Sequence, residues 1–147
     1  MPVLEPSPAA GQPTALAAAL ARIGDRWTLL LVAALLGGPQ RFTELLAAVP
    51  GLAPNVLSQR LKTLERHGIV IGRPYTERPR RLAYDLSGSG RELASALRLL
   101  AAWGAGAVPD ADAPQHLSCG TPLETCWRCP TCGVDVDDPT ADDLRYA

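Results

Sequence analysis

Apolar side chains follow a helical period from Leu16 to Leu64, alternate between Ile69 and Leu86, and return to helical spacing as far as Trp103. Thr14 is placed to cap a helix running through Arg22, with Leu16, Ala19, Leu20 and Ile23 along one side, and Gly24 interrupts it. Asp25 or Thr28 then opens a second helix to about Leu36, ended by Gly37, Gly38 and Pro39. Its stretch from Leu29 to Leu36 is apolar on every side, so this helix must be buried as the central element of the core. A short third helix is expected from Arg41 to about Ala48, carrying Phe42, Leu45 and Leu46 inward, then a turn over Val49, Pro50, Gly51 and Leu52. A fourth runs from about Ala53 to Arg66, with Pro54 tolerated in the first turn because its missing amide would have no intrahelical partner.

Two short helices joined by a short turn make a helix-turn-helix. The β-branched Ile69-Val70-Ile71 and the alternating Leu82-Ala83-Tyr84-Asp85-Leu86 read as strands, and Arg73 to Arg81 between them forms a charged hairpin tip. Ser87 caps a long helix from about Gly88 to Trp103, with Leu93, Ala96, Leu97, Leu100 and Trp103 in one stripe. The predicted fold is mainly α (α+β): a winged helix-turn-helix domain over 14–104 with a two-stranded wing, plus a small C-terminal zinc-ribbon-like unit over 115–136. Residues 1–13 read as a mobile arm, 105–114 as a linker and 137–147 as an acidic tail.

The chain's net charge of -1 conceals a strong segregation. Residues 14–108 carry twelve Arg and Lys against six Asp and Glu, whereas 109–147 carry two Arg against eight acids. A basic domain is what a polyanionic partner requires. On the fourth helix Leu57, Leu61 and Leu64 fall within about 60° of one another and form the core side. Asn55, Gln59, Lys62 and Arg66 lie opposite with Ser58 beside them, offering amides that can read adenine, a hydroxyl and two cations, with no acid among the five. Arg73, Arg78, Arg80 and Arg81 crowd the hairpin against the single acid Glu77, and phosphate or a narrow minor groove supplies the missing counter-charge. No nucleophile–base pair and no phosphate loop appears, so an enzyme is not expected. The 147 residues hold no apolar run near the roughly 20 needed to cross a bilayer and no signal-type N-terminus, so a cytoplasmic protein without a membrane partner is expected.

Several segments resemble the HxlR family of bacterial winged helix-turn-helix regulators, within the MarR-like superfold. They are Ile23-Gly-Asp-Arg-Trp-Thr28, Arg41-Phe-Thr-Glu-Leu45, Leu57-Ser-Gln-Arg-Leu-Lys-Thr-Leu-Glu65, Gly68-Ile-Val70 and Tyr84-Asp-Leu-Ser-Gly-Ser-Gly90. The resemblance spans roughly Ala15 to Trp103. It implies a homodimer on a palindromic operator, the helix from Leu57 to Arg66 reading bases, and wings in flanking minor grooves. It also implies that Arg41 begins the reading motif and that Arg60 and Glu65 are structural. Three departures stand out. Residues 1–22 lack the cysteine that family members commonly carry; Asp25-Arg26-Trp27 replaces Gly-Lys-Trp; and the wing reads Pro79-Arg80-Arg81-Leu82-Ala83-Tyr84 instead of Pro-Pro-Arg-Val-Glu-Tyr.

A homodimer is expected on physical grounds too. Leu93, Leu97, Leu100 and Trp103 present more apolar surface than one small domain can hide, and Ala15, Ala18 and Ala19 suit close helix packing. The alternative is a tail that folds back over the stripe. A small-molecule inducer could sit near Trp27 and Trp103.

All four cysteines lie between 119 and 132. Cys129-Pro-Thr-Cys132-Gly133 and His116-Leu-Ser-Cys119-Gly120 are two half-sites of matching spacing, and together they suggest structural zinc on His116, Cys119, Cys129 and Cys132. A four-cysteine site using Cys126 in place of His116 fits the spacing as well, and thiols or disulfides remain open. The function expected is a sequence-specific, double-stranded DNA-binding transcriptional regulator, a homodimeric repressor with structural zinc. The alternatives are a zinc- or thiol-responsive sensor regulator and a protein-interaction adaptor without specific DNA binding.

Overall fold

The computed structural model describes residues 14–108, 114–124 and 126–136. The expected arm, the middle of the linker and the acidic tail lie outside these residues. Thr14 caps α1 (Ala15–Ile23), its hydroxyl accepting from the Ala17 amide at 3.1 Å. Of the two candidate caps for the next helix, Asp25 takes the position, its carboxylate accepting from the amides of Trp27 and Thr28 at 2.8 and 3.1 Å. The helix α2 (Arg26–Leu35) buries Thr28, Leu31, Val32 and Leu35 and forms the centre of the core. The remaining elements of the domain are β1 (Gln40–Arg41), α3 (Phe42–Ala48), α4 (Pro54–Arg66), β2 (Val70–Glu77), β3 (Arg80–Leu86), α5 (Gly88–Glu92) and α6 (Ala94–Ala105).

The core side expected for α4 is observed: Leu57, Leu61 and Leu64 are all buried, against Leu31, Leu35 and Leu45, with Ile69, Val70 and Leu86 closing one end. Each such leucine contributes roughly 2 kcal/mol relative to exposure, enough to fix the rotation of α4 and hence which residues face outward. Three local expectations are corrected. The wing strands are longer than the apolar pattern suggested, because the basic segment expected as a tip continues the ladder from Val70 opposite Leu86 to Glu77 opposite Arg80. Backbone pairing does not require apolar side chains, so the hydropathy pattern stopped short of it. The two-residue strand β1, too short to leave a period, pairs antiparallel with β3, giving the sheet order β1-β3-β2. Finally, the long helix expected from Gly88 to Trp103 divides at Leu93, whose amide bonds the Gly90 carbonyl three residues back rather than four.

The C-terminal unit consists of a bridge between Gln115 and Pro122 followed by a small hairpin, β4 (Trp127–Arg128) against β5 (Asp135–Val136).

Candidate nucleic-acid interface

With its three leucines inward, α4 leaves Asn55, Ser58, Gln59, Lys62 and Arg66 exposed together. The Arg66 guanidinium lies along its own helix, donating to the Thr63 hydroxyl at 3.1 Å. The two α4 residues that the resemblance implied to be structural do hold the frame. Arg60 pairs with the cap residue Asp25 at 2.7 Å, and a Glu65 carboxylate oxygen accepts from the Gly72 amide at 3.1 Å, tying the helix to β2.

The wing carries Arg73 on β2, Arg78 at the turn, and Arg80 and Arg81 on β3, all exposed. Among the described residues, none of these four, nor Arg41 or Lys62, belongs to one of the ion pairs, which join Arg60 to Asp25, Arg91 to Asp85 and Arg128 to Asp135. Among the described residues no ion pair offsets their positive charge.

Arg41 stands where α3 begins, opposite Ala83 in the sheet. Its guanidinium lies over the ring of Tyr75, a residue the sequence pattern did not single out. Pro74 pairs with Leu82 and Thr76 with Arg81, so Tyr75 is the extra residue of a bulge, and a bulge re-aims its side chain. Between α3 and the wing lies an open cavity of about 560 Å³, edged by Arg41, Thr43, Tyr75, Arg80, Arg81 and Tyr84. Three guanidinium groups around one opening suit a phosphodiester. Partial burial, and then the nearby Glu65 carboxylate, hold the Tyr84 phenol above its ordinary range, so it remains a neutral hydroxyl.

The four residues expected at the dimer contact divide into two pairs. Leu93 and Leu97 pack partly against the domain's own core. Leu100 and Trp103 remain exposed, Trp103 at 82%, and Leu16 and Leu20 of α1 are exposed as well. Trp27 also packs against the core, under the Arg26 guanidinium. A cavity of about 310 Å³ opens elsewhere, between α6 (Ser95, Leu99, Ala102) and Leu123, Cys126 and Trp127 of the C-terminal unit, and neither Trp27 nor Trp103 lines it.

In that unit His116 Nδ1 lies 3.3 Å from the Cys119 sulfur, and the sulfurs of Cys129 and Cys132 are 3.1 Å apart. The Thr121 hydroxyl and amide, and then His116, hold the Cys119 thiol below its ordinary range. Amide and thiol hydrogen bonds from Cys132, and then the Thr131 amide, lower Cys129 in the same way. Among the described residues no group of three His, Cys, Asp or Glu side chains is gathered closely enough to hold a metal ion. None of the described helices is long and apolar enough to cross a membrane.

A family model described as "HxlR-like helix-turn-helix" matches residues 22–112. The Bacillus subtilis protein "Uncharacterized HTH-type transcriptional regulator YvaP" is 43% identical over 81 residues, covering 55% of this chain and 75% of the relative. Among solved structures, "a putative HTH-type transcriptional regulator ytcD" aligns with a TM-score of 0.60 at 33% identity, over 64% of this chain and 96% of that one. The "Redoxregulator HypR in its reduced form" aligns with a TM-score of 0.57 at 29% identity, over 60% of this chain and 88% of that one. All three are named as regulators.

Proposed function

Because this chain belongs to the HxlR-like helix-turn-helix family of transcriptional regulators, we propose that it binds a palindromic duplex operator as a homodimer and represses by occupying it. The observation that carries this reading is the acid-free outward stripe of α4 beside a wing whose arginines lack ion-pair partners among the described residues. Asn55, Ser58, Gln59 and Lys62 reach base edges in the major groove. Arg41, Arg66, Arg73, Arg78, Arg80 and Arg81 meet phosphates and the flanking minor groove. The exposed apolar residues of α6 and α1 join two copies, setting the reading helices about one DNA turn apart. The C-terminal unit holds structural zinc.

A second reading makes the same regulator thiol-responsive. It is favoured by the contact between the Cys129 and Cys132 sulfurs and the lowered Cys119 and Cys129 thiols, beside the likeness to a structure named as a redox regulator. The thiols concerned are at the C-terminal end of the chain, since residues 1–22 contain no cysteine.

A fluorescence anisotropy titration against the DNA upstream of the chain's own gene tests both. It is run at two salt concentrations, with and without a chelator or a thiol oxidant. Selective binding by a dimer is expected, and its loss on oxidation alone would favour the responsive reading. Salt-sensitive but unselective binding removes the operator claim, and no binding at all turns the winged domain into a protein-interaction adaptor.

A further inference from the structure

The C-terminal unit keeps a defined shape without a core: among the described residues from 114 to 135 none is buried. A segment this small is not held by apolar burial, so something else must stabilise its two loops. The loops are copies of one another. In the first, the Gly120 amide donates to the His116 carbonyl at 2.8 Å; in the second, the Gly133 amide donates to the Cys129 carbonyl at 2.9 Å. The two glycines have φ of +69° and +68°, a left-handed conformation that other residues rarely adopt. This turn brings the first and fourth side chains of each loop together, as His116 with Cys119 and Cys129 with Cys132. Two nitrogen or sulfur donors at that spacing form the bidentate half of a tetrahedral zinc site.

We infer that one Zn²⁺ ion joins the two pairs, ligated by His116, Cys119, Cys129 and Cys132, and that Cys126 stays outside the ligand set. The inference deepens the zinc part of the proposed function and does not depend on DNA binding. Among the described residues no three donors are gathered at one point, so metal binding must draw the preformed pairs together. The nine residues between Cys119 and Cys129 are ample for that closure. Cys126 belongs to this connector and faces a different neighbourhood, lining the cavity against α6 with Leu123 and Trp127. It is also not followed at the matching place by a glycine turn. A closed site with four protein ligands has no open position for water, which makes the metal structural, and its binding energy becomes folding energy for the unit. Residues 114–136 lie outside the segment matched by the family model.

The test is metal analysis of the full chain purified under reducing conditions, together with cobalt(II) substitution. About one zinc per chain is expected, with cobalt absorption bands typical of a tetrahedral site with three thiolates and one imidazole. Cys119→Ser, Cys129→Ser and His116→Ala should each reduce bound zinc by at least about fivefold, while Cys126→Ser retains it. The thermal transition of the winged domain, monitored on the same samples, confirms that each variant is folded. Zinc-free protein with Cys119, Cys129 and Cys132 all open to alkylation would overturn the inference. So would a Cys126→Ser variant that loses the metal while His116→Ala keeps it, since that establishes a four-cysteine site. Loss of DNA binding with zinc retained would count against the proposed function alone.

Discussion

The guanidinium of Arg41 lies 4.7 Å from the centre of the Tyr75 ring, joining the start of α3 to the bulge of the wing. An exposed cation–π contact of this kind contributes about 0.5–1 kcal/mol. That is small for the stability of the domain but significant for aiming a flexible side chain. Tyr75 holds Arg41 at the mouth of the cavity that Arg80 and Arg81 also border. Tyr75→Ala is therefore expected to weaken operator binding about three- to fivefold, with Tyr75→Phe close to wild type because the ring face is retained. Arg41→Ala should lower the slope of log affinity against log salt by about one, as loss of a single phosphate contact does. Anisotropy titrations across a salt series measure both effects. Unchanged affinity in Tyr75→Ala would show that the wing does not position Arg41.

Asp25 performs two tasks that different substitutions separate. Its carboxylate caps α2 and pairs with Arg60 on α4, so one side chain links the central core helix to α4. Both partners are about one-third exposed, so solvent screening reduces the charge contribution. Arg60 Nε is nevertheless buried and finds no hydrogen-bond partner among the described residues, so this guanidinium already depends on few contacts. Asp25→Asn keeps a capping oxygen and should cost about 0.5 kcal/mol. Asp25→Ala loses cap and pair together and should cost about 1.5–2 kcal/mol, lowering the melting temperature by several degrees. Equal losses in calorimetry for the two variants would assign the whole effect to the charge.

What could be read in the sequence follows from where periodicity carries information. Leu57, Leu61 and Leu64 fix the inward side of α4, and the exposure of Asn55, Ser58, Gln59, Lys62 and Arg66 follows without any further signal. Tyr75 was not legible, because its importance comes from a one-residue slip beside Pro74 that leaves no trace in hydropathy. β1 is too short to show alternation. The division at Leu93 was hidden because Leu93 and Leu97 continue the helical stripe across it, and their partial burial depends on packing against the domain's core. The paired donors of the C-terminal unit and the glycine that follows each pair were visible as spacing, and the structure adds that both glycines adopt the same left-handed turn.

Leu100 and Trp103 are the exposed remainder of the α6 stripe, and α1 adds Leu16 and Leu20. Exposed large apolar side chains are the residues a second copy would cover in the proposed dimer, and burying a large aromatic side chain contributes on the order of 2–3 kcal/mol. Trp103→Glu is expected to weaken self-association at least tenfold, while Leu100→Ala gives a smaller loss. Sedimentation velocity over a dilution series reads this directly. Neither substitution removes a core contact, so the thermal transition of the domain at low concentration should be retained. A dimer of unchanged affinity in Trp103→Glu would move the contact to another surface.

Gln59 and Lys62 are neighbours on the exposed side of α4, yet they are expected to fail in different ways. An amide that donates to and accepts from an adenine edge discriminates by about 1–3 kcal/mol against the wrong base, whereas an ammonium near the backbone contributes through counterion release to any sequence. Gln59→Ala should therefore reduce the ratio of operator to random-sequence affinity about tenfold and leave the salt slope unchanged. Lys62→Ala should weaken both sequences and lower the slope by about one if its ammonium meets a phosphate, or reduce discrimination if it meets guanine. Competition titrations with operator and scrambled duplexes at two salt concentrations resolve the outcomes. If Gln59→Ala kept full discrimination while Arg73→Ala or Arg80→Ala lost it, base reading would belong to the wing, and α4 would be a positioning helix.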